Sequence, residues 1–150
     1  MSIRPAEPKD LDALCAMAER FVGETDLSLT YSPEKTRNTL WQAIHSSPIM
    51  LVWEGEETIG GAVLGYLEDE FTNEISAYVS KFYVERELRG LGVARELLHA
   101  FSEEARRLGA SVIFASATAG MGPRVEALYT RLFECEGYNV LGRVLVKELR

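Results

Sequence analysis

Apolar positions recur along this chain with two periods, near 3.6 residues in some stretches and 2 in others, and each change of period marks an element. Ser2, Ile3 and Arg4 read as a short strand ended by Pro5. Glu7-Pro8 then opens a helix, with Pro8 at the first helical position and Asp10 in the first turn, and Leu11, Leu14, Ala18, Phe21 and Val22 share one face until Gly23 stops it. A polar loop leads to Tyr31, and Ser32-Pro33 caps and starts a second helix whose buried face is Leu40, Trp41 and Ile44.

Period 2 takes over at Ile49. The runs 49–53 and 58–67 flank a polar turn containing Gly55 and read as a hairpin, locally weakened at Gly60 and Gly61. In the next strand Ile75, Ala77 and Val79 alternate with Ser76, Tyr78 and Ser80. Lys81 then breaks the alternation, and Phe82 and Val84 fall on the opposite parity. One extra residue in a strand has this effect, so a β-bulge is predicted between Ser80 and Phe82.

A glycine turn follows, and Val93, Leu97, Leu98, Phe101, Ala105 and Leu108 line one face of a third helix that Gly109 caps. Residues 111–115 read as a strand buried on both faces. After a turn at Ala119, Gly120, Met121 and Gly122, Pro123 starts a last helix with an inward stripe of Val125, Leu128 and Leu132. Gly137 ends it, and residues 138–149 supply a bent strand or a short hairpin about Gly142. The order predicts an α/β fold on a mixed sheet, with hairpin-joined antiparallel strands and a parallel, right-handed strand-helix-strand unit around residues 82–115.

The turn between Val84 and the third helix carries the chemistry. A helix start leaves backbone N–H groups unpaired at the positive end of its dipole, which suits a phosphate, and Gly90 and Gly92 have no Cβ to block the approach. A nucleotide-triphosphate loop needs Lys followed by Ser or Thr after its second glycine, where Val93 and Ala94 stand. A dinucleotide loop needs a third glycine where Arg95 stands, and an acidic residue where Ala117 and Thr118 stand. The pattern present is Arg89-Gly90-Leu91-Gly92-Val93-Ala94. It resembles the coenzyme A pyrophosphate loop of the GNAT superfamily of acyl-coenzyme A dependent N-acetyltransferases, and the preceding Phe82-Tyr83-Val84-Glu85-Arg86 resembles that family's strand before the loop. The element order is also the family's, so the resemblance covers almost the whole chain, read as one domain over residues 1–150. It implies a mostly antiparallel central sheet flanked by four helices, with a splayed pair of parallel central strands.

The resemblance further implies acetyl-coenzyme A as cosubstrate. Its pyrophosphate would be held by the amides of Gly90, Leu91, Gly92, Val93, Ala94 and Arg95, with charge from Arg89 and Arg95, and its pantetheine arm by the backbone of Phe82, Tyr83 and Val84. The implied reaction is direct attack of a primary amine of a small molecule or peptide on the thioester. An amine of pKa near 10.4 is only about 0.04% neutral at pH 7, so a proton must be removed, and the leaving thiolate needs one. The family's donor tyrosine falls on Tyr129 when counted forward from the preceding strand, and on Phe133, which has no proton to give, when counted back from Gly137-Tyr138. The acid and the asparagine that some relatives carry fall on Ala117 and Gly122. Glu68, Asp69, Glu70 and Glu74, at the ends of the central strands, remain as bases acting through water, with Glu74 the residue named for that role. Glu24, Asp26 and Tyr31, in the loop joining the first two helices, are candidates for receiving a cationic amine.

Composition adds limits. With 47% hydrophobic and 26% charged residues in 150, the chain can build a real core. A net charge of -7 argues against a nucleic-acid partner and is compatible with a cationic substrate. Apolar runs fall short of a membrane span, and the N-terminus reaches Arg4, Glu7 and Lys9 without a signal-peptide core, so a cytoplasmic protein is expected. Cys15 and Cys135 read as small core-facing helix residues, and His45 and His99 lack ligand-spaced partners, so no metal is expected. Two rivals to the enzyme are a non-catalytic acyl-coenzyme A binding or regulatory module of the same fold, and a homodimer subunit pairing through the strand edge at residues 144–149.

Overall fold

The computed structural model describes residues 2–117 and 122–149. Its sheet runs β1 (Ser2–Pro5), β2 (Ile49–Glu54), β3 (Ile59–Glu68), β4 (Ile75–Val84) and β5 (Ala110–Phe114), in that spatial order. All neighbours are antiparallel except β4 and β5, which are parallel. The helices are α1 (Leu11–Glu24), α2 (Pro33–Ser46), α3 (Val93–Arg107) and α4 (Pro123–Cys135).

Alternation decides which residue goes to which layer. On one face Ile49, Leu51, Trp53, Val63, Ala77 and Val84 pack against Val93, Leu97, Phe101 and Ala105 of α3. On the other, Met50, Val52, Ile59 and Tyr83 pack against Leu14, Met17 and Ala43 of α1 and α2. The fully buried Leu97, Leu98 and Phe101 contribute on the order of 1.5–3 kcal/mol each. They fix the helix that the glycine turn starts.

The β-bulge is present. Leu64 pairs with Lys81 and Gly65 with Val79, leaving Ser80 without a partner on β3. Phe82 therefore packs toward α3, and Tyr83 toward α1 and α2. Gly65 sits at the step, where a Cβ would stand 2.4 Å from the Phe101 ring and 2.6 Å from the Tyr78 carbonyl oxygen.

Several expectations are corrected. A 3-10 turn, Pro8–Asp10, precedes α1, because Asp10 accepts from the Glu7 N–H (2.8 Å) and from Arg4 (2.8 and 2.9 Å). Gly23 does not stop α1, which ends one residue later with Thr25 as its cap. Trp41 is 47% exposed and lies 4.1 Å from the His45 ring one turn on, so α2 buries Ala43 instead. In α4 Leu128 is 60% exposed and Phe133 is the buried residue, because the helix faces Phe82 across the sheet edge. Cys135 is exposed and Cys15 half-buried. The turn expected at Ala119, Gly120 and Met121 lies outside the described residues. Residues 138–149 form no strand, and β5 is consequently an edge strand, half exposed rather than central and doubly buried.

Gly65→Ala is expected to lower stability by about 1–3 kcal/mol, since the methyl meets a ring and a backbone oxygen that cannot both move aside. Urea unfolding measures this, and a wild-type midpoint would contradict the packing at the bulge.

Candidate active site

β4 ends at Val84, and a 3-10 turn, Arg86–Leu88, carries the chain to the glycines that open α3. Gly90 and Gly92 have φ of 83° and 88°, in the left-handed region that costs other residues about 1–2 kcal/mol. No atom lies within 4 Å of where either Cβ would stand, so the turn is open on its outer side. The first hydrogen bond of α3 runs from the Glu96 N–H to the Gly92 carbonyl at 3.0 Å. The N–H groups of Val93, Ala94 and Arg95 thus precede the helical ladder, and no side chain caps them. They form a positive seat for an anion. Trp53 Nε1 donates to Glu96 Oε2 (2.9 Å), tying this helix end to β2.

The gap beside the turn follows from the pairing of β4. That strand meets β3 along its length, but its pairing with β5 ends at Tyr78 and Phe114. Beyond this rung, among the described residues, β4 has no partner strand on its β5 side from Val79 to Val84. The polar backbone groups turned to the gap must be met by something else. One is met internally, since Arg89 Nε donates to the Val84 carbonyl at 2.9 Å. Phe82 forms a wall of the gap, with its ring 6.2 Å from that of Tyr129 and 6.1 Å from that of Phe133.

Charge at the loop is organised around Glu24, the last residue of α1. Its carboxylate accepts from Arg89 Nη2 (2.8 Å), Arg86 Nη2 (3.5 Å) and the Tyr83 hydroxyl (3.4 Å). Arg89 also lies over the Tyr83 ring, 5.3 Å from its centroid. Beside this group Arg20 pairs with Glu85 at 2.6 Å. Arg95 is taken up by Glu136 just beyond α4, at 2.7 Å. Arg20 is not singled out by the sequence, and Glu24 is singled out there for a cationic amine rather than for Arg86 and Arg89, because only the packing of α1 on β4 brings these groups together.

Tyr129 projects from α4 toward this group. Burial pushes its hydroxyl above the usual tyrosine range, with the Arg89 charge opposing and the Glu24 charge adding. Of the other expected residues, Glu24 is committed to two arginines, and the Tyr31 hydroxyl donates to the Cys15 carbonyl at 3.2 Å. Asp26 Oδ2 would be 3.3 Å from a Cβ on Gly122, which places it at the start of α4. Asp69, Glu70 and Glu74 are exposed in the β3–β4 turn, and Glu68 is half-buried at the end of β3.

A groove of about 880 Å³ runs along β5 and the α3 residues Ser102, Ala105 and Arg106, and none of residues 82–95 lines it. Its walls are β5, Phe133 and Thr130 of α4, and the chain from Glu136 to Val144. The terminal segment then leaves this groove, and residues 146–149 come to lie beside Leu27 and Leu29. Val140, Leu141, Val144, Leu145, Val146 and Leu149 are all exposed.

Residues 15–133 match the family described as Acetyltransferase (GNAT) family. No curated protein matches the chain. Solved structures of the same fold include a ribosomal-protein-alanine N-acetyltransferase from Brucella melitensis biovar Abortus 2308, 17% identical over 99% of this chain and 100% of that one, with a TM-score of 0.75. AAC(6')-Iy in complex with the bisubstrate analogue CoA-S-monomethyl-acetylneamine is 12% identical over 99% and 97%, with a TM-score of 0.77. Glucosamine-6-phosphate N-acetyltransferase from Arabidopsis thaliana is 11% identical over 99% and 98%, with a TM-score of 0.72. Among the described residues no helix is long and apolar enough to cross a membrane.

Gly92→Val is expected to fold, since space surrounds the new side chain, at a cost of about 1–3 kcal/mol for the left-handed backbone. Circular dichroism and urea unfolding together check both halves of that statement. Loss of helix signal without denaturant would contradict it.

Proposed function

Because the chain belongs to the GNAT acetyltransferase family, we propose that its residues 1–150 form one acetyltransferase domain that moves an acetyl group from acetyl-coenzyme A to a primary amine of a small molecule or peptide. The observation that carries this reading is the open, uncapped glycine turn at the head of the β4–β5 gap. The fit is direct: the amides of residues 90–95 suit a pyrophosphate, and the backbone of Phe82, Tyr83 and Val84 suits an amide-containing arm. Arg89, now on Glu24, is within the loop and has charge to offer the phosphates.

In the reaction the neutral amine nitrogen forms a bond to the acetyl carbon as the carbon–sulfur bond breaks. The amine's proton goes through water to a carboxylate at the strand ends, with Glu74 proposed as base. Tyr129 gives its proton to the departing sulfur and is reprotonated from solvent. Burial of Tyr129 supports this role, because it keeps the hydroxyl protonated at neutral and moderately alkaline pH. Asp26, beside the start of α4, is proposed to meet the amine's charge, with Glu24 and Tyr31 as the other candidates of this region. Cys15 and Cys135 are free thiols, which suits a reducing cytoplasm.

Calorimetry with acetyl-coenzyme A, followed by thiol release with a panel of amines, tests the whole reading. Saturable binding with amine-dependent release is expected, and no binding by folded protein would overturn it. Gly92→Val should lose that binding. Tyr129→Phe should lower kcat about a hundredfold or more with coenzyme affinity unchanged. The alkaline limb of kcat should lie above the ordinary tyrosine range, because the general acid works only while protonated. Unchanged turnover in Tyr129→Phe would remove it from the mechanism. Ala117, where an acid would help, favours a second reading as a coenzyme-binding regulatory module, for which binding occurs and no amine is acetylated.

We also propose a homodimer in which residues 138–149 of one copy pair with the β5 edge of another. The exposed apolar tail and the groove along β5 support it, because the tail of the same chain leaves that groove for Leu27 and Leu29. Light scattering should give twice the 16.8 kDa chain mass, falling to the monomer when residues 138–150 are removed. A monomeric full-length chain would exclude the exchange.

A further inference from the structure

Two carboxylates and three guanidinium groups meet where the end of α1 lies against the glycine turn, and the two carboxylates differ in what they hold. Glu85 is 8% exposed and accepts from Nε and Nη2 of Arg20, at 3.0 and 2.6 Å. This pair ties α1 to the end of β4 and uses no group of residues 86–95. Glu24 instead takes Arg86 and Arg89, both of the segment that carries the turn.

Arg89 is anchored independently of Glu24. Its Nε donates to the Val84 carbonyl at 2.9 Å, and its guanidinium lies over the Tyr83 ring. The Nη2 edge goes to Glu24 at 2.8 Å, so the partner on that edge can change while the Nε anchor stays. The other contacts of the Glu24 carboxylate are longer, 3.5 Å from Arg86 Nη2 and 3.4 Å from the Tyr83 hydroxyl, which makes Arg89 its main tie. Glu24 is also the last residue of α1, and residues 25–32 beyond it form neither helix nor strand. Leu27 and Leu29 bond back within that loop, to Thr25 Oγ1 (3.3 Å) and to the Leu27 carbonyl (2.8 Å). The ion pair of Glu24 with Arg89 thus holds the root of the loop against the turn.

A carboxylate on an arginine of this loop does what a phosphate oxygen would do there, since both accept charge-assisted bonds from the guanidinium. A pyrophosphate carries more negative charge, and it also meets the N–H groups of Val93, Ala94 and Arg95, which no side chain caps. We propose that Glu24 is a positioning residue for the coenzyme: it holds Arg89 while coenzyme is absent, yields it to the pyrophosphate, and by yielding loosens the root of the 25–32 loop. The inference rests on the acetyl-transfer reading. Coenzyme then binds more weakly than the turn alone would allow, because only the fraction of molecules with Arg89 free is competent. The loop, for its part, is released by the coenzyme rather than ordered by it.

Calorimetric titration of coenzyme A into full-length protein comes first, and no binding overturns acetyl transfer and the exchange together. With binding established, Glu24→Gln should bind coenzyme A about tenfold more tightly, because a neutral amide of the same shape holds a guanidinium less well than a carboxylate. Arg89→Gln should bind it more weakly. Adding Glu24→Gln to Arg89→Gln should change affinity by about twofold or less, since the effect passes through Arg89. Hydrogen exchange gives the readout that a merely structural ion pair would not move. Coenzyme A should speed exchange of the amides of residues 24–29 in the wild type, and in Glu24→Gln they should exchange at the faster rate with or without it. Unchanged or weaker binding by Glu24→Gln, wild-type affinity in Arg89→Gln, an equal gain in the Arg89→Gln background, or unchanged or slower exchange of residues 24–29 would overturn the exchange and leave the coenzyme site standing.

Discussion

Unsatisfied backbone hydrogen-bonding groups along one strand are the constraint on which the rest of this molecule depends. β4 is paired with β3 on both sides of the step at Ser80 and paired with β5 only up to Tyr78. Leaving buried N–H and C=O groups without partners costs about 1–3 kcal/mol apiece, so a gap of this kind persists only where water or a ligand meets them. The surrounding features keep it open: the step at Ser80, the pressure of Phe101 on Gly65, and α4 standing across the opening on Phe82.

The charges follow the same geometry. α1 ends at the glycine turn, and the negative end of its dipole together with Glu24 offsets Arg86 and Arg89. The positive charge of the loop is thereby reduced but not cancelled, since one carboxylate faces two guanidinium groups. An anion seated there competes with Glu24 for Arg89, so the end of α1 and residues 25–32 are coupled to whatever occupies the turn. The end of α1 and the glycine turn share one carboxylate.

Much of this was legible because it is local. Gly90 and Gly92 announce a helix start in six residues, and the parity change after Ser80 announced the bulge without any knowledge of the partner strand. The failures share a cause in tertiary context. Helical periodicity put Trp41 and Leu128 on buried faces, yet α2 and α4 each cover the sheet with a narrower stripe, leaving these side chains exposed. Residues 138–149 have strand composition but no partner strand in the structure, and composition cannot supply one. The pairing of Glu24 with Arg89 joins positions 65 residues apart, and the stacking of Tyr66 on Tyr78 and of Tyr78 on Phe114 depends on register across three strands. Neither leaves a mark in a single stretch of sequence.

The pairing order of the sheet also orders its assembly in time. β2, β3 and β4 are consecutive in the chain and joined by short turns, so their contacts close small loops at low entropic cost. β5 pairs with β4 only across the long α3 crossover, whose closure costs more, and α4 follows it in the chain, so these contacts are expected to form later. One wall of the gap therefore belongs to the earliest part of the fold and the other to the latest. A chain arrested before docking of β5 would carry the bulged strand and its glycine turn but no cleft, so a ligand of that cleft acts on folding only at its final step, by slowing the departure of the last strand and helix rather than by speeding the first collapse.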